Sequence, residues 1–400
     1  MTNPLSAIEA LPPDPLLGIM AAFRADDRAN KVDLGVGIYK DDDGRTPIMA
    51  AVREAEKRLA LSGDTKAYEG PRGNLAFCET VQGFLYGASG GPADGAASFM
   101  TTPGGCGALG VGAAFLRRLA PERKLWISDP TWPNHVHIAK SAGLNIARYA
   151  YVADGQGLPD FDRVEDDLKQ AEAGDSIIIQ GPCHNPSGVD LTLEQWSRLA
   201  TLCQSRGLLP FVDIAYHGFG ASLDEDLVGV RTFLAGVESA LVSYSCSKNF
   251  GLYRERTGCV AVQAPESEAA DAAVSHLADL GRASYSMPPA HGAAIVAEIR
   301  QDEALYASWV EELDGMRSRL NRLRSAFADA LTERTGDGRH GAIARQAGMF
   351  SLLPVQPDAA ERLAADHAVY MPKSGRINIA GLHERTIDRV ADAVAPFLTA

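Results

Sequence analysis

Three short segments carry side chains whose types could act together on one small molecule. They are His184-Asn-Pro-Ser-Gly188, Asp213-Ile-Ala-Tyr216 and Ser245-Cys-Ser-Lys-Asn-Phe-Gly251. An amine such as that of Lys248 attacks a carbonyl group only when it is unprotonated, which requires desolvation or neighbouring positive charge. A buried carboxylate such as Asp213 can keep a ring nitrogen protonated. Together the segments indicate chemistry on a pyridine ring that carries an aldehyde.

Each of these residues alone has a simpler interpretation. A lone lysine in a loop is most often a solvated charge. An aspartate after a strand is about as often a helix N-cap. Tyr216 and Asn185, which could donate to a ring oxygen, also occur as turn or packing residues. The combination is what favours a shared site.

The elements that must position these residues are strands of an α/β protein. Short β-rich runs alternate with helical stretches, which predicts a largely parallel sheet. In such sheets ligands lie beyond the carboxyl ends of the strands, so we expect the three segments to surround one crevice. The candidate strands are Ser98–Thr102, Lys124–Ser128, Ser176–Gln180, Leu208–Val212 and Ala240–Tyr244. Two helices are also predicted: one from the Thr192/Gln195 capping box to Gly207, and one from Trp309 to Leu331.

A glycine-rich stretch after the first candidate strand offers a phosphate site. Residues 104–109 open a helix there, and the free N–H groups of a helix start bind phosphate. Arg256 and Ser245 could add a cation and a hydroxyl group. Residues 105–110 also match the GxGxxG pattern, and Asp129 ends the next strand, so a nicotinamide-dependent dehydrogenase is an alternative. That alternative leaves Lys248 and Asp213 unexplained.

Length and composition narrow the class of protein. The 400 residues predict one large domain and a smaller one. With 51 acidic against 38 basic side chains, a nucleic-acid or anionic-membrane partner is disfavoured. The six cysteines form no CxxC pair and no zinc-ligand spacing with histidine, so no metal site is expected. The lack of a signal-peptide pattern and of long apolar runs favours a cytoplasmic location.

Taken in their order along the sequence, the motifs resemble those of the class I, fold-type-I pyridoxal-phosphate-dependent aminotransferases, in the aspartate and aromatic amino-acid branch. The resemblance covers nearly the whole chain and implies a mostly parallel central sheet flanked by helices, with a smaller α+β domain built from both termini. The implied division is 1–46 (N-terminal arm and part of the small domain), 47–312 (large cofactor-binding domain) and 313–400 (small domain). The motifs that carry the resemblance, besides the three segments above, are Asp33-Leu-Gly-Val-Gly-Ile-Tyr-Lys40, Tyr68, Thr102-Pro-Gly-Gly105, Asp129-Pro-Thr-Trp-Pro-Asn-His135, Leu252-Tyr-Arg-Glu-Arg-Thr-Gly258, Tyr285-Ser-Met-Pro-Pro-Ala-His-Gly292 and Gly375-Arg376.

The resemblance also implies roles at the cofactor. Lys248 would form the Schiff base with pyridoxal 5'-phosphate and move the proton between Cα and the cofactor. Asp213 would pair with the ring nitrogen, Tyr216 and Asn185 would hold the ring oxygen, and Trp132 would stack on the ring. The phosphate would be bound by Gly105, Cys106, Ser245, Arg256 and, from the neighbouring subunit of a homodimer, Tyr68.

Substrate roles follow in the same way. Arg376 would bind the α-carboxylate beneath the backbone of Gly37, with Trp132 and Asn185 also in contact with substrate. Arg282 would reach a side-chain carboxylate from the partner subunit. The implied reaction is ping-pong amino transfer from tyrosine, phenylalanine, tryptophan or aspartate to 2-oxoglutarate, and an aspartate-specific aminotransferase is the alternative.

Four positions depart from the family pattern. Cys106 replaces a threonine or serine at the phosphate, and Gln180 replaces a histidine, which we expect to alter a relay through Asp213 and His135. Ala67 and Met287 stand where dicarboxylate specialists place asparagines. Apolar groups there favour an aromatic substrate side chain.

Overall fold

The computed structural model describes residues 3–11, 15–87, 91–92, 95–152 and 158–399. Helices alternate with strands through most of this chain. The helices are α1 (Pro15–Ala25), α2 (Ala50–Ser62), α3 (Leu75–Tyr86), α4 (Gly104–Leu119), α5 (Pro133–Ser141), α6 (Phe161–Leu168), α7 (Leu193–Arg206), α8 (Val228–Ala235), α9 (Ser267–Ser284), α10 (His291–Gln301), α11 (Glu303–Thr335), α12 (Ala359–His367) and α13 (Ile387–Val394). The strands are β1 (Val32–Asp33), β2 (Ala96–Pro103), β3 (Lys124–Asp129), β4 (Asn145–Ala150), β5 (Ser176–Gln180), β6 (Leu209–Ile214), β7 (Ala240–Ser245), β8 (Thr257–Ala264), β9 (Phe350–Leu352), β10 (Val369–Tyr370) and β11 (Arg376–Asn378).

A seven-stranded sheet organises the larger part of the structure. Its strand order is β2-β8-β7-β6-β5-β3-β4. Strand β8 is antiparallel to both of its neighbours, and the other pairs are parallel. The sheet is therefore mostly parallel, as the sequence predicts.

The parallel strands end together at one edge of this sheet. Gln180 of β5 lies beside Asp213 of β6, and Asp213 lies beside Ser243 of β7. The segments that follow β5, β6 and β7 consequently leave the sheet side by side. All five candidate strands are present, with small differences at their ends.

Two strands of the sheet were not among the candidates. Every residue of β8 is buried, so the strand lacks the alternation of polar and apolar residues that marks a half-exposed strand. Strand β4 has one buried residue, and because an asparagine and two alanines are among its six residues it gives little strand signal.

The two predicted helices are present. At the start of α7, Thr192 Oγ1 accepts from the Gln195 backbone (3.2 Å) and Gln195 Oε1 accepts from the Thr192 backbone (2.9 Å). Helix α11 is longer than the predicted range, 309–331. Asp302 caps its extra first turn by accepting from two backbone N–H groups.

The two ends of the chain meet in two small sheets. Strand β1 pairs in parallel with β10, and β9 pairs antiparallel with β11. The expected boundary between residues 312 and 313 falls inside the continuous helix α11. Within the described ranges, no helix combines the length and apolar character needed to cross a bilayer.

Candidate active site

A cavity of about 280 Å³ opens beyond the carboxyl ends of the central strands. Side chains from the ends of β5, β6 and β7 line it together with the start of α4 and parts of both chain ends. The residues proposed from sequence that line the cavity are Gly37, Gly105, Cys106, Trp132, Asn185, Asp213, Tyr216, Ser245, Lys248, Arg256 and Arg376.

Lys248 lies in the loop that follows β7. Its Nζ atom is 4.7 Å from the centre of the Tyr216 ring. Desolvation lowers the pKa of the Lys248 amine, although the charge of Asp213 acts in the opposite direction. A lower pKa increases the fraction of unprotonated amine at neutral pH, which is the form that acts as nucleophile or base.

A buried hydrogen-bond chain supports the lysine loop from behind. The Asn249 carbonyl oxygen accepts from Trp309 Nε1 (2.7 Å), and the Asn249 side chain donates to the Tyr244 hydroxyl (3.1 Å). That hydroxyl is 2.6 Å from His217 Nδ1. Because these partners lie on β7, on α11 and directly after Tyr216, they restrict the backbone that carries Lys248.

Asp213 is buried at the end of β6, with 7% of its surface exposed. Its Oδ2 atom is 3.0 Å from His135 Nε2, and His135 Nδ1 is 2.8 Å from Thr131 Oγ1. The Asp213–His135 contact is therefore present with a glutamine at position 180. Gln180 instead binds the Asn185 backbone, donating to its carbonyl oxygen (2.9 Å) and accepting from its N–H (3.0 Å).

Asn185 and Tyr216 are in contact with each other at the wall of the cavity. The Asn185 amide donates to the Tyr216 hydroxyl at 3.4 Å, while its own Oδ1 atom is buried and has no protein partner. Burial raises the pKa of the Tyr216 phenol, so it remains protonated and able to donate. Trp132 packs edge-on against His135, with ring centres 5.3 Å apart. The unpaired Asn185 Oδ1 is an exception to the rule that buried polar atoms are hydrogen-bonded, and such exceptions can mark functional sites.

The glycine-rich helix start forms a narrow cradle. Gly104 has φ +68°, and a Cβ atom there would lie 2.6 Å from the Arg256 guanidinium. A Cβ on Gly105 would lie 3.0 Å from Ser245 Cβ. Both glycines thus let Arg256 and Ser245 approach the first turn of α4, whose N–H groups favour an anion. Cys106 is exposed and its sulfur accepts from Asn134 at 3.5 Å.

Arg376 begins β11 and enters the cavity from the C-terminal part of the chain. Its Nη2 atom donates to the Gly35 carbonyl oxygen (2.7 Å), and its guanidinium lies 4.4 Å from the centre of the Phe350 ring. The Nε atom is buried without a protein partner. Desolvation lowers the pKa of Arg376, and the guanidinium at the cavity wall can bind a substrate carboxylate.

Known proteins were compared with this chain. The family model for aminotransferase class I and II matches residues 29–394. A tyrosine aminotransferase from Rhizobium meliloti is 47% identical over 92% of this chain and 94% of its own length. An aspartate aminotransferase from Salmonella typhi is 42% identical over 98% of this chain and 99% of its own length. An aromatic-amino-acid aminotransferase from Burkholderia pseudomallei, covalently bound to pyridoxal phosphate, superposes with a TM-score of 0.95 at 38% identity and covers 100% of both chains.

The chain belongs to the class I and II aminotransferase family. This confirms the family, fold, enzyme class and pyridoxal-phosphate cofactor expected from the sequence. It also excludes the dehydrogenase alternative. The cavity fits the cofactor, since it offers an amine, a carboxylate, ring-oxygen donors and an anion cradle.

Two residues expected at this aminotransferase's site do not line the cavity. Tyr68 is 90% exposed. Arg282, near the end of α9, is also exposed and donates to Ser286 Oγ at 2.6 Å. Both residues were expected to act on a neighbouring subunit, so their absence from the cavity of a single chain accords with that interpretation.

Several cavity residues were not among the expected site residues. Tyr253 accepts a hydrogen bond from the Tyr39 backbone (2.9 Å) and links the lysine segment to the N-terminal segment. Phe350 lies under Arg376, but in the sequence an aromatic residue next to apolar neighbours has no distinctive chemical signal. The others are Leu16, Leu109, Ala215 and Ser247.

Proposed function

We propose that this aminotransferase moves the amino group of tyrosine, phenylalanine, tryptophan or aspartate to 2-oxoglutarate in two half-reactions. The observation that carries the proposal is the convergence of Lys248, Asp213 and Asn185 on one cavity that also contains Arg376. Family membership gives the class of reaction. The substrate range is supported by relatives named for tyrosine, aspartate and aromatic amino acids.

Pyridoxal phosphate would be held at its ring nitrogen, its ring oxygen, one face of its ring and its phosphate. Asp213 would bind the ring nitrogen, with His135 fixing the carboxylate. Asn185 and Tyr216 would donate to the ring oxygen, and Trp132 would cover a ring face. When bound, the cofactor supplies an electron sink that acidifies the Cα–H of an attached amino acid. The phosphate would lie in the cradle of Gly105, Cys106, Ser245 and Arg256.

Lys248 would carry the proton in both half-reactions. Its lowered pKa supports a neutral amine that can accept a proton from Cα and return it elsewhere. The hydrogen-bonded Asn249 backbone supports a fixed position for this amine, and proton transfer requires such positioning.

Arg376 would bind the α-carboxylate of both the amino acid and the keto acid. A ping-pong enzyme needs this shared contact, because each substrate must occupy the same place in turn. The position of Arg376 in the cavity wall, beside Gly37, supports the assignment. Gly37 would border the same carboxylate with its backbone.

The far end of the substrate would decide between aromatic and acidic side chains. Arg282 of a second subunit would bind a distal carboxylate, while Ala67 and Met287 would leave space for an aromatic ring. An aspartate-specific enzyme is the alternative, favoured by the relatives named for aspartate. The apolar pair at 67 and 287 supports the broader range.

We also propose a homodimer with shared sites in the cytoplasm. The exposure of Tyr68 and Arg282 supports the dimer, as does the exposure of the apolar side chains of Leu5 (72%) and Leu11 (88%). The two ends of the chain, 1–46 and 313–400, would form the smaller domain beside 47–312. Pairing of β1 with β10 supports that division.

The test is a set of kcat/KM values for phenylalanine, tyrosine, tryptophan, aspartate and glutamate with their complementary keto acids. We expect transamination of both aromatic and acidic donors with 2-oxoglutarate. Turnover of acidic donors alone would replace the proposal with the aspartate-specific alternative. Yellow protein that borohydride bleaches, with the cofactor then attached to Lys248, would check the cofactor assignment independently.

A further inference from the structure

Residues 33–40, which we call the carboxylate loop, connect β1 to the cavity wall at Gly37. Strand β11 holds this loop through two side chains. Arg376 donates to the Gly35 carbonyl oxygen (2.7 Å), and Asn378 Nδ2 donates to the carbonyl oxygens of Val36 (2.5 Å) and Ile38 (2.8 Å). The position of the loop backbone therefore determines where the Arg376 guanidinium lies.

A single carboxylate ties the two ends of this loop together. Asp33 Oδ2 lies 2.8 Å from Lys40 Nζ, and the two side chains are only 7% and 16% exposed. The other oxygen, Asp33 Oδ1, accepts from the backbone N–H groups of Gly35 (2.9 Å) and Val36 (3.3 Å). Because water is largely excluded, this pair is screened less than a surface ion pair.

We propose that the Asp33–Lys40 ion pair is a positioning element for binding of the substrate α-carboxylate. The proposal rests on the function proposed above. By closing the carboxylate loop, the pair places the Gly35 carbonyl oxygen so that it binds Nη2 of Arg376 and holds the guanidinium at the cavity wall. Neither Asp33 nor Lys40 lines the cavity, so both act through Arg376.

The chain beyond the loop is anchored separately. Arg319 donates to the Lys40 carbonyl oxygen (2.9 Å) and to Asp42 Oδ1 (2.6 Å). These contacts use the backbone of Lys40 and not its amine. Loss of the ion pair should consequently loosen residues 33–40 while the following segment keeps its place.

The test compares charge removal with charge retention in the holoenzyme. Asp33→Asn keeps the Oδ1 acceptor but removes the charge, and Lys40→Met removes the amine. We expect each to raise the KM of the amino donor and of 2-oxoglutarate about tenfold, with kcat within about twofold, because loss of a ground-state contact raises KM. Cofactor affinity should not change. The increase in KM of the double variant should be well below the product of the increases in the two single variants.

Two further variants make the result decisive. Lys40→Arg retains the charge and should keep the KM of the unaltered enzyme; an increase as large as that of Lys40→Met would overturn the proposal. Asp43→Asn breaks the exposed Asp43–Arg45 pair nearby (3.6 Å; 71% and 77% exposed) and should change nothing. Lower melting temperatures at unchanged KM would show a merely structural pair. An unaltered enzyme without transamination would instead refute the proposed function.

Discussion

The two ends of the candidate site differ in how complete they are within one chain. At the cofactor end, Asp213, Tyr216 and Asn185 are buried and engaged in hydrogen bonds. Arg282 and Ala67, proposed for the far end of the substrate, are exposed and do not line this cavity. The cofactor end is thus built by the fold of one chain, whereas in the proposed homodimer the distal end would depend on a second copy.

This difference separates chemistry from selectivity. Groups fixed by a buried sheet edge can be preorganised for proton transfer whatever the substrate. Groups on an exposed helix end gain a defined place only when another surface covers them. We therefore expect substitutions at the cofactor end to affect all substrates and substitutions at the distal end to discriminate among them.

The largest effect should come from removing the amine at the cofactor end. Lys248→Ala should still bind pyridoxal phosphate noncovalently but lose turnover by roughly a thousandfold or more with every substrate, since the proton carrier is gone. The turnover rates with phenylalanine and with aspartate, measured in assays stopped at fixed times, would test this loss. Lys169→Ala, at an exposed lysine, is the control. Substantial retained turnover would remove Lys248 from the mechanism.

Removal of the distal cation should produce a large but selective effect. Arg282→Ala should lower kcat/KM for aspartate and glutamate on the order of a hundredfold, because a charge pair loses one partner, and should spare phenylalanine. Separate kcat/KM measurements on the three donors check this, with Arg339→Ala as a surface control. Equal losses for acidic and aromatic donors would erase the contrast between the two ends.

A moderate shift is expected from restoring amides at the distal end. Met287→Asn combined with Ala67→Asn should tilt the aspartate-to-phenylalanine ratio of kcat/KM toward aspartate by about tenfold, because polar groups near the ring site disfavour an apolar side chain. The ratio, measured in one assay series, is the readout. An unchanged ratio would mean that these positions do not read the side chain.

The smallest effect should come from the cradle. Cys106→Ser adds a hydroxyl donor for the phosphate and should tighten cofactor binding by about 1 kcal/mol. Fluorescence titration of the apoenzyme would measure the Kd, and kcat should stay the same for all donors. Cys106→Ala, which adds no donor, should give no gain; a comparable gain would show that the thiol itself obstructs the phosphate.

Much of the architecture was accessible from sequence because it depends on local patterns. Strand β5 was placed at its observed bounds, and the Thr192 capping box correctly began α7. The segments around Asn185, Asp213 and Lys248 could be expected to converge because parallel strands end at one edge. The chemistry of these three residues could be predicted because lysine, carboxylate and amide side chains have distinct roles.

Other features depend on long-range packing that the pattern does not encode. Strand β8 is buried throughout, and an apolar run of that length is equally compatible with other elements. Phe350 becomes part of the site only through its contact with Arg376, which lies on a different strand.

The antiparallel strand β8 has a consequence for the order of assembly. It lies between β2 and β7, and its first residue pairs with Pro103, so Arg256 reaches Gly104 only after β8 has inserted. Strands β2 and β8 are far apart in sequence, and such distant pairings form slowly. The anion-binding cradle consequently cannot form until β8 has joined the sheet. Pyridoxal phosphate added during refolding would stabilise the completed sheet, because it binds the folded site, without guiding the earlier steps.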